Sequence, residues 1–347
     1  MMLSHSKNIT LQNMNLIALF FLMSSFIMSY FTLGNHSTPF LFETVFGNSF
    51  ILDDFATLFD LMFTLGAALT LLINNDYLKS RTYFNGEYFA LMLFSVFGMM
   101  MLSHAHELVT AFIALEIASL SVYTLVGYHK SKVSSAESMM KYMILGAMSG
   151  AFFILGTAMI YGAVGSTSLT EIAKYTNTHD IKDMQLLLVG ASFIMITILF
   201  KLGAVPFHSW VLDVYHGAPY PITMYMASTF KIAIFAIALR LYLVDFASIF
   251  GFWTQMLQVI TIMTLIGGSW LAIKQTLVKR MLAGSSIVHS GYLLIALSSI
   301  GLGSSLAAPA LMFYLIAYFI SSVGAFGILS FIASKSKEQM SYDDFKG

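Results

Sequence analysis

The chain has 347 residues, of which 58% are hydrophobic and only 10% are charged, and its formal net charge is zero. A soluble protein carries about 25% charged residues, so the composition excludes an ordinary soluble globular protein and gives no indication of nucleic-acid binding. The chain contains no cysteine, which excludes a cysteine-ligated iron–sulfur cluster, a thiolate nucleophile and an internal disulfide. We therefore predict an all-α, polytopic membrane protein that forms a single transmembrane domain over residues 1–347.

Ten stretches are apolar over about 20 residues, the length that a membrane-spanning helix needs. In chain order they are residues 11–33, 55–75, 88–104, 107–128, 137–162, 185–217, 222–245, 253–273, 282–300 and 309–333. The third and fourth are joined only by the HAHE segment at 104–107, which predicts a tight turn.

The sixth stretch is too long for one straight span, because 33 residues of helix would extend about 50 Å. Gly203, Pro206 and His208 lie in its middle, and the segment GAPYP follows at 217–221. Proline removes a backbone donor and clashes with the preceding turn. We predict a broken helix, whose freed backbone groups would line an internal cavity as they do in transporters. The alternative is a simple proline kink.

The basic residues of the loops indicate an orientation. If the N-terminus and every second loop share one side, that side carries eleven basic residues and the opposite side two, Lys174 and Lys182. The eleven are Lys7, Lys79, Arg81, Lys130, Lys132, Lys274, Lys279, Arg280, Lys335, Lys337 and Lys346. This excess predicts that both ends are cytoplasmic, or on the equivalent negative side of the membrane.

Four basic residues remain inside the spans: Lys141, Lys201, Lys231 and Arg240. Arg240 is close to a helix end, and we expect it to extend to the membrane interface. Lys141 follows Glu137 by four residues, so it could form an ordinary ion pair along one helix.

Lys201, Lys231 and Glu116 are different, because all three fall near the middle of a span. A lysine at the centre of a spanning helix costs about 2.5–3.5 kcal/mol on insertion scales. The three could form static buried pairs, although two lysines and one glutamate do not neutralise each other. The alternative is a proton relay, since burial disfavours the charged forms and a nearby opposite charge favours them.

Histidines could extend such a relay. His289 lies within the ninth span in SSIVHSGYLL, beside several hydroxyl groups, and histidine transfers protons near neutral pH. A lone histidine in a span could equally have a structural role. We expect His208 to form a wall of the path rather than bind a metal, since the chain has no HExxH motif and no compact histidine–carboxylate cluster.

Four segments resemble a known family. They are LEIASLSVYTLVGYH, ESMMKYMILGAMSGAFFILGTAMIYG, FKLGAVPFHSWVLDVYHGAPYPITMYMASTFKIAIF and KRMLAGSSIVHSGYLL, which follow one another between residues 107 and 300. In this order they resemble subunit N of the proton-pumping NADH-quinone oxidoreductase, respiratory complex I. The resemblance runs from about Asp53 to the last residue and implies the fold of the antiporter-like subunits.

The resemblance implies roles for individual residues. Glu116 and Lys201 match a pair that modulates the site, and Lys231 matches the central lysine that carries the proton. His289 matches a histidine of the polar axis that links half-channels, and Lys141 matches a lysine on the cytoplasmic side of the path. Electrons would then travel through other subunits.

The resemblance also implies the surroundings of the chain. We expect no cofactor in this chain, and flavin, iron–sulfur clusters and quinone in partner subunits. The partners would be other membrane and peripheral subunits of the complex and the lipid bilayer, without nucleic acid. The location would be a bacterial cell inner membrane or an organellar inner membrane. A subunit of a multi-subunit cation/proton antiporter and a purely structural scaffold remain alternatives.

One departure concerns length. The family usually has fourteen spans, and the chain stops at SYDDFKG, where the family enters a further helix with a distal lysine. We expect that either the gene continues past Gly347 or a neighbouring subunit supplies the exit.

Overall fold

The computed structural model describes residues 7–34, 43–335 and 340–345. Within them, ten helices are long and apolar enough to cross a membrane, which confirms the predicted number. These spans are Leu11–Thr32, Asp54–Ile73, Gly86–His104, Leu108–Val126, Val133–Val164, Gln185–Leu202, Tyr220–Tyr242, Gly251–Ile273, Val278–Ile300 and Ala307–Ser334. Nine match the predicted bounds to within a few residues, and the sixth ends early for a reason given below.

The regular elements are numbered here in chain order. The helices are α1 (Lys7–Thr32), α2 (Asp54–Ile73), α3 (Asn75–Ser80), α4 (Gly86–His104), α5 (Leu108–Val126), α6 (Val133–Val164), α7 (Leu169–Thr178), α8 (Gln185–Leu202), α9 (Val211–Gly217), α10 (Tyr220–Tyr225), α11 (Lys231–Leu239), α12 (Gly251–Ile273), α13 (Val278–Ile300) and α14 (Ala307–Lys335). Wider π-helical turns at Met226–Phe230 and Arg240–Asp245 continue α10 and α11. Two short strands, β1 (Glu43–Val45) and β2 (Phe50–Leu52), precede α2.

The span Tyr220–Tyr242 is the centre of the bundle. It is entirely buried within the protein, whereas only about a quarter of α1 and of α12 is buried. The span is enclosed by α2, α4, α8 and α14. A helix that is apolar all round is buried or faces lipid, and the packing decides that this one is buried. Lys231 is therefore held at the core of the molecule.

One end of the bundle, here called the non-basic end, comprises residues 43–53, 105–107 and 165–184. The strands β1 and β2 form an antiparallel hairpin with Glu43 opposite Leu52, a small departure from the all-α prediction. Phe50 of the hairpin pairs with Ala105, so β2 covers the predicted tight turn between α4 and α5. The amide of Leu108 then donates to the carbonyl of Thr167 at 3.0 Å.

The opposite end, here called the basic end, comprises the connections at 74–85, 127–132 and 274–277. The ring of Tyr83 stacks on His129 at 4.0 Å, and Leu277 pairs with Ser341 near the chain's end. Successive loops therefore lie at alternate ends of the bundle, in agreement with the predicted separation of basic residues. Lys337 and Lys346 of that count lie outside the described residues. Which end faces the cytoplasm stays a prediction.

Candidate functional site

The sixth span is broken, as predicted, and not merely kinked. Helix α8 ends at Leu202, and Gly203 follows in the left-handed conformation with φ +69°. The chain then passes through Pro206, and helix begins again only at Val211. A Cβ atom on Gly203 would lie 2.5 Å from Val211 Cγ2. Glycine is therefore required here both for its backbone conformation and for the close return of α9.

Side chains of neighbouring helices bind backbone groups around the break. The carbonyl of Leu202 accepts a hydrogen bond from Ser290 Oγ at 2.8 Å. The amide of Val205 donates to Thr264 Oγ1 at 3.0 Å. Buried backbone groups are costly without partners, so these side chains of α13 and α12 stabilise the break. His208 is half-buried in the break, between the exposed residues Pro206 and Ser209.

Lys201 lies in the last turn of α8, immediately before the break, and is only 2% exposed. Its ammonium group donates to Ser119 Oγ at 2.9 Å and to Tyr123 Oη at 2.7 Å. It also lies 6.0 Å from the centre of the Tyr142 ring, at which a cation–π attraction operates. The structure thus places Lys201 against α5 and α6, among neutral groups.

The implied ion pair between Glu116 and Lys201 is not formed in this structure. No nitrogen–oxygen contact within 4.0 Å joins them. Glu116 Oε1 is buried without a hydrogen-bond partner among the described residues and packs against Gly150 of α6. Glu116 and Ser119 both lie on α5, so the carboxylate and the ammonium approach the same segment without meeting.

Lys231 is only 4% exposed and has three oxygen partners on α13. Its ammonium group donates to the carbonyl of Ser286 at 2.7 Å, to the hydroxyl of Ser286 and to Ser290 Oγ at 3.0 Å. All three are neutral, and no carboxylate of the described residues pairs with Lys231. Since Ser290 also binds the carbonyl of Leu202, one hydroxyl connects Lys231 to the residue that follows Lys201.

His289 joins the same cluster through tyrosines of α14. Its Nδ1 lies 2.7 Å from Tyr314 Oη, and its ring is 4.8 Å from the ring of Tyr318. Tyr318 Oη in turn donates to Ser286 Oγ at 2.9 Å. The structure therefore brings His289 and Lys231 together around Ser286, which the sequence indicated only through nearby hydroxyl residues.

Lys141 lies apart from this cluster, towards the basic end. Its ammonium group binds Glu137 at 2.7 Å and also Asp213 of α9 at 2.9 Å. Asp213 binds Arg280 of α13 at 3.1 Å as well. The pair with Glu137 confirms the simple interpretation of Lys141, but Asp213 makes it part of a network that connects α6, α9 and α13. Asp213 is 72 positions away in the sequence, so no local pattern pointed to it.

The expectation that Arg240 extends to the interface is wrong. Arg240 is 5% exposed, and its guanidinium group donates two hydrogen bonds to the carboxylate of Asp53, at 3.0 and 2.9 Å. A third bond, from Nε, reaches the carbonyl of Ser103 at 2.8 Å. A second buried pair, Asp60 with His104, lies beside it. Asp60 is an aspartate inside an apolar span, so the sequence itself marks it as unusual. A count restricted to basic residues does not find it.

The described residues contain no group of three or more His, Cys, Asp or Glu side chains that could hold a metal ion. The buried lysines around the break are instead the unusual feature of the site. Residues 105–346 match the family model described as NADH:quinone oxidoreductase/Mrp antiporter, TM. The chain belongs to this family.

Among curated members of this family, the chain is similar to NADH-quinone oxidoreductase subunit N of Trichlorobacter lovleyi, with 36% identity over 302 residues that cover 87% of this chain and 61% of the relative. Subunit N 1 of Sorangium cellulosum is 38% identical, covering 86% of this chain and 60% of the relative. The chain thus spans about three-fifths of the length of these relatives.

Solved structures of the family share the fold. A chain of respiratory complex I from Thermus thermophilus with bound aureothin superposes with a TM-score of 0.75 at 29% identity, covering 92% of this chain and 65% of that chain. A chain of the Mrp complex from Dietzia superposes with a TM-score of 0.83, covering 96% and 62%, but at 20% identity it shows the fold alone. The protein is an integral, multi-pass membrane protein with the antiporter-like fold.

Proposed function

We propose that the chain is a membrane subunit of a proton-translocating NADH (or related donor):quinone oxidoreductase, which moves protons while other subunits carry electrons. The observation that carries the proposal is the environment of Lys231, a buried ammonium group at the centre of the bundle with only neutral oxygen partners. The similarity to NADH-quinone oxidoreductase subunit N supports the assignment to this class of complex.

The site suits a proton carrier for a simple electrostatic reason. Burial disfavours the charged form of a lysine, whereas hydrogen bonds to oxygen acceptors favour it. Without a fixed counter-charge, Lys231 can give up and regain a proton when a neighbouring charge changes. Such coupling needs two states with different interactions. Movement of the Glu116 carboxylate towards Lys201, which has neutral partners here, would supply a second state.

Ser290 is the residue through which a movement of the broken helix would affect Lys231. Its hydroxyl accepts from Lys231 and donates to the carbonyl of Leu202. A shift of the broken helix would therefore change the hydrogen bonds of Lys231 directly. His289, hydrogen-bonded to Tyr314, packs its ring against Tyr318, which donates to Ser286, so a change in its charge would act on this cluster.

Electron transfer is assigned to partner subunits. The chain has no cysteine to ligate an iron–sulfur cluster, so flavin, iron–sulfur clusters and quinone would be bound by other membrane and peripheral subunits. We place the complex in a bacterial cell inner membrane, because the curated relatives are bacterial. The second candidate is a subunit of a cation/proton antiporter, and purification of the complex distinguishes it from the first. Co-purifying flavin and iron–sulfur subunits support the oxidoreductase, whereas cation exchange without redox partners supports the antiporter.

The central test replaces Lys231 by alanine in the natural subunit within its complex. We expect quinone-coupled proton translocation to be lost while the complex still assembles. The measurement is proton uptake per quinone reduced in membrane vesicles, with assembly followed on a native gel. Lys274→Ala is the matched control, because Lys274 is exposed at the basic end and its ammonium group, among the described residues, lies over the ring of Trp270 and forms no ion pair. Normal translocation by an assembled Lys231→Ala complex would refute the carrier role.

A further inference from the structure

The buried pair formed by Asp60 of α2 and His104 of α4 is not used in the proposed mechanism. Their side chains are 7% and 15% exposed, and His104 Nε2 lies 2.8 Å from Asp60 Oδ2. The other carboxylate oxygen of Asp60 accepts a hydrogen bond from Ser103 Oγ at 3.1 Å. His104 is the last residue of its span, so the pair extends inward from the non-basic end.

Hydrogen-bond geometry fixes how many protons this pair holds. His104 Nδ1 lies 2.7 Å from the carbonyl oxygen of Ile51, which can only accept, so Nδ1 carries a hydrogen. The contact between Nε2 and Asp60 then needs one further proton, either on the imidazole or on the carboxyl group. Without that proton, two acceptors would face each other at 2.8 Å. The closed pair therefore holds at least this one proton between Nε2 and the carboxylate, and it must open when that proton is lost.

Fixed charges surround the pair without neutralising it. Arg240 and Asp53 already bind each other through two hydrogen bonds, and Arg240 also binds the carbonyl of Ser103, the residue before His104.

Other titratable groups at the same end also have partners of their own. The Glu107 carboxylate accepts hydrogen bonds from the hydroxyls of Ser49, Thr110 and Thr167. Two other histidines lie at this end: His106 contacts Thr170, and His179 contacts Tyr175 and Thr178. None of these charged groups forms an ion pair with Asp60 or His104 among the described residues.

Two contacts connect the helices that carry this pair to the span of Lys231: Arg240 binds the carbonyl of Ser103 on α4, and Gly66 of α2 packs against Thr229. Arg240 follows Lys231 by nine residues on the same span. On α2, Gly66 packs so closely against Thr229 that the threonine Oγ1 would collide with a Cβ at position 66. Gly66 is six residues, or about 9 Å of helix, from Asp60, and Thr229 is two residues before Lys231. The pair lies between the central lysine and the non-basic surface.

We propose that Asp60 and His104 form a proton-binding site that exchanges protons with the aqueous phase at the non-basic end and with Lys231 within the bundle. The proposal rests on the proton-translocating function proposed above. Its chemistry is proton transfer between a carboxyl group and an imidazole, so it needs no further reactant.

The first experiment reads the proton directly. The natural subunit is purified with ring-¹⁵N histidine, placed in lipid nanodiscs, and followed by NMR over a pH series, with His104→Gln used to assign the signal. We expect Nδ1 of His104 to stay protonated while Nε2 exchanges one proton, with a titration that shifts in Asp60→Asn and does not shift in the control His106→Gln. If Asp60→Asn leaves the titration of His104 unchanged, the proposal is overturned. This measurement does not depend on pumping activity.

The second experiment tests the role in translocation. Asp60→Asn and His104→Gln should each slow proton translocation by about 100-fold, the lower end of what a positioned proton donor or acceptor contributes. Asp60→Glu, which keeps a titratable carboxyl group, should restore most of the rate, whereas a merely structural role would not favour Glu over Asn. If Lys231→Ala abolishes translocation but Asp60→Asn does not, this inference is wrong and the proposed function stands. If Lys231→Ala pumps normally, the proposed function itself fails.

Discussion

The buried ion pair between Asp53 and Arg240 allows a quantitative prediction. Asp53 has two roles: its carboxylate accepts both guanidinium bonds of Arg240, and it caps α2 by accepting from the amide of Ala56 at 2.8 Å. Asparagine caps helices as well as aspartate does. Asp53→Asn therefore removes the charge and keeps the cap. Leaving one buried charge without its partner costs about 3–5 kcal/mol, and we expect a loss of that order.

Asp53→Ala removes both interactions. It should cost about 1 kcal/mol more than Asp53→Asn, the usual contribution of a helix cap. The measurement is the free energy of unfolding of the purified subunit in detergent, followed by the fluorescence of the buried Trp253. Asp54→Asn is the control, because the neighbouring carboxylate Asp54 accepts only the amide of Gly34 and forms no ion pair among the described residues.

A double variant separates the pair from other effects. Combining Asp53→Asn with Arg240→Met should cost clearly less than the sum of the two single losses, because the charge left unpaired in each single variant is then absent. If Asp53→Asn behaved like Asp54→Asn, or if the two losses were simply additive, the pair would be too solvated to matter and our account of Arg240 would be wrong.

Two further predictions concern the break and Lys201. Gly203→Ala should destabilise the subunit by about 1–3 kcal/mol, the usual cost of a left-handed non-glycine residue, and the added Cβ would also collide with the start of α9. Gly251→Ala is the control in the same unfolding assay. It should be neutral, because a Cβ at that position meets nothing. In double-mutant cycles of stability, Lys201→Ala should couple more strongly to Tyr123→Phe than to Glu116→Gln. The reason is that the tyrosine hydroxyl, and not the glutamate, binds the ammonium group. The reverse order would show that the ion pair between Glu116 and Lys201 forms in the membrane.

The sequence by itself determined the number of spans, the break and the two central lysines. Each follows from a local property. Hydrophobicity summed over about 20 residues marks a span, and the missing donor of Pro206 together with Gly203, three residues earlier, interrupts a helix within one turn. Lys201 and Lys231 stand out because a charge within an apolar stretch is visible in the sequence alone.

Only the tertiary structure decided what each charge binds. Asp53 and Arg240 are 187 positions apart, and Lys141 and Asp213 are 72 apart, so their pairing depends on how the helices pack. Seen along the chain, Arg240 is a cation near a helix end, the kind of residue that usually reaches the interface. Because its span is enclosed by other helices, its side chain meets Asp53 instead of lipid headgroups. Burial and partnership are properties of the packed bundle, and no single helix carries them in its own sequence.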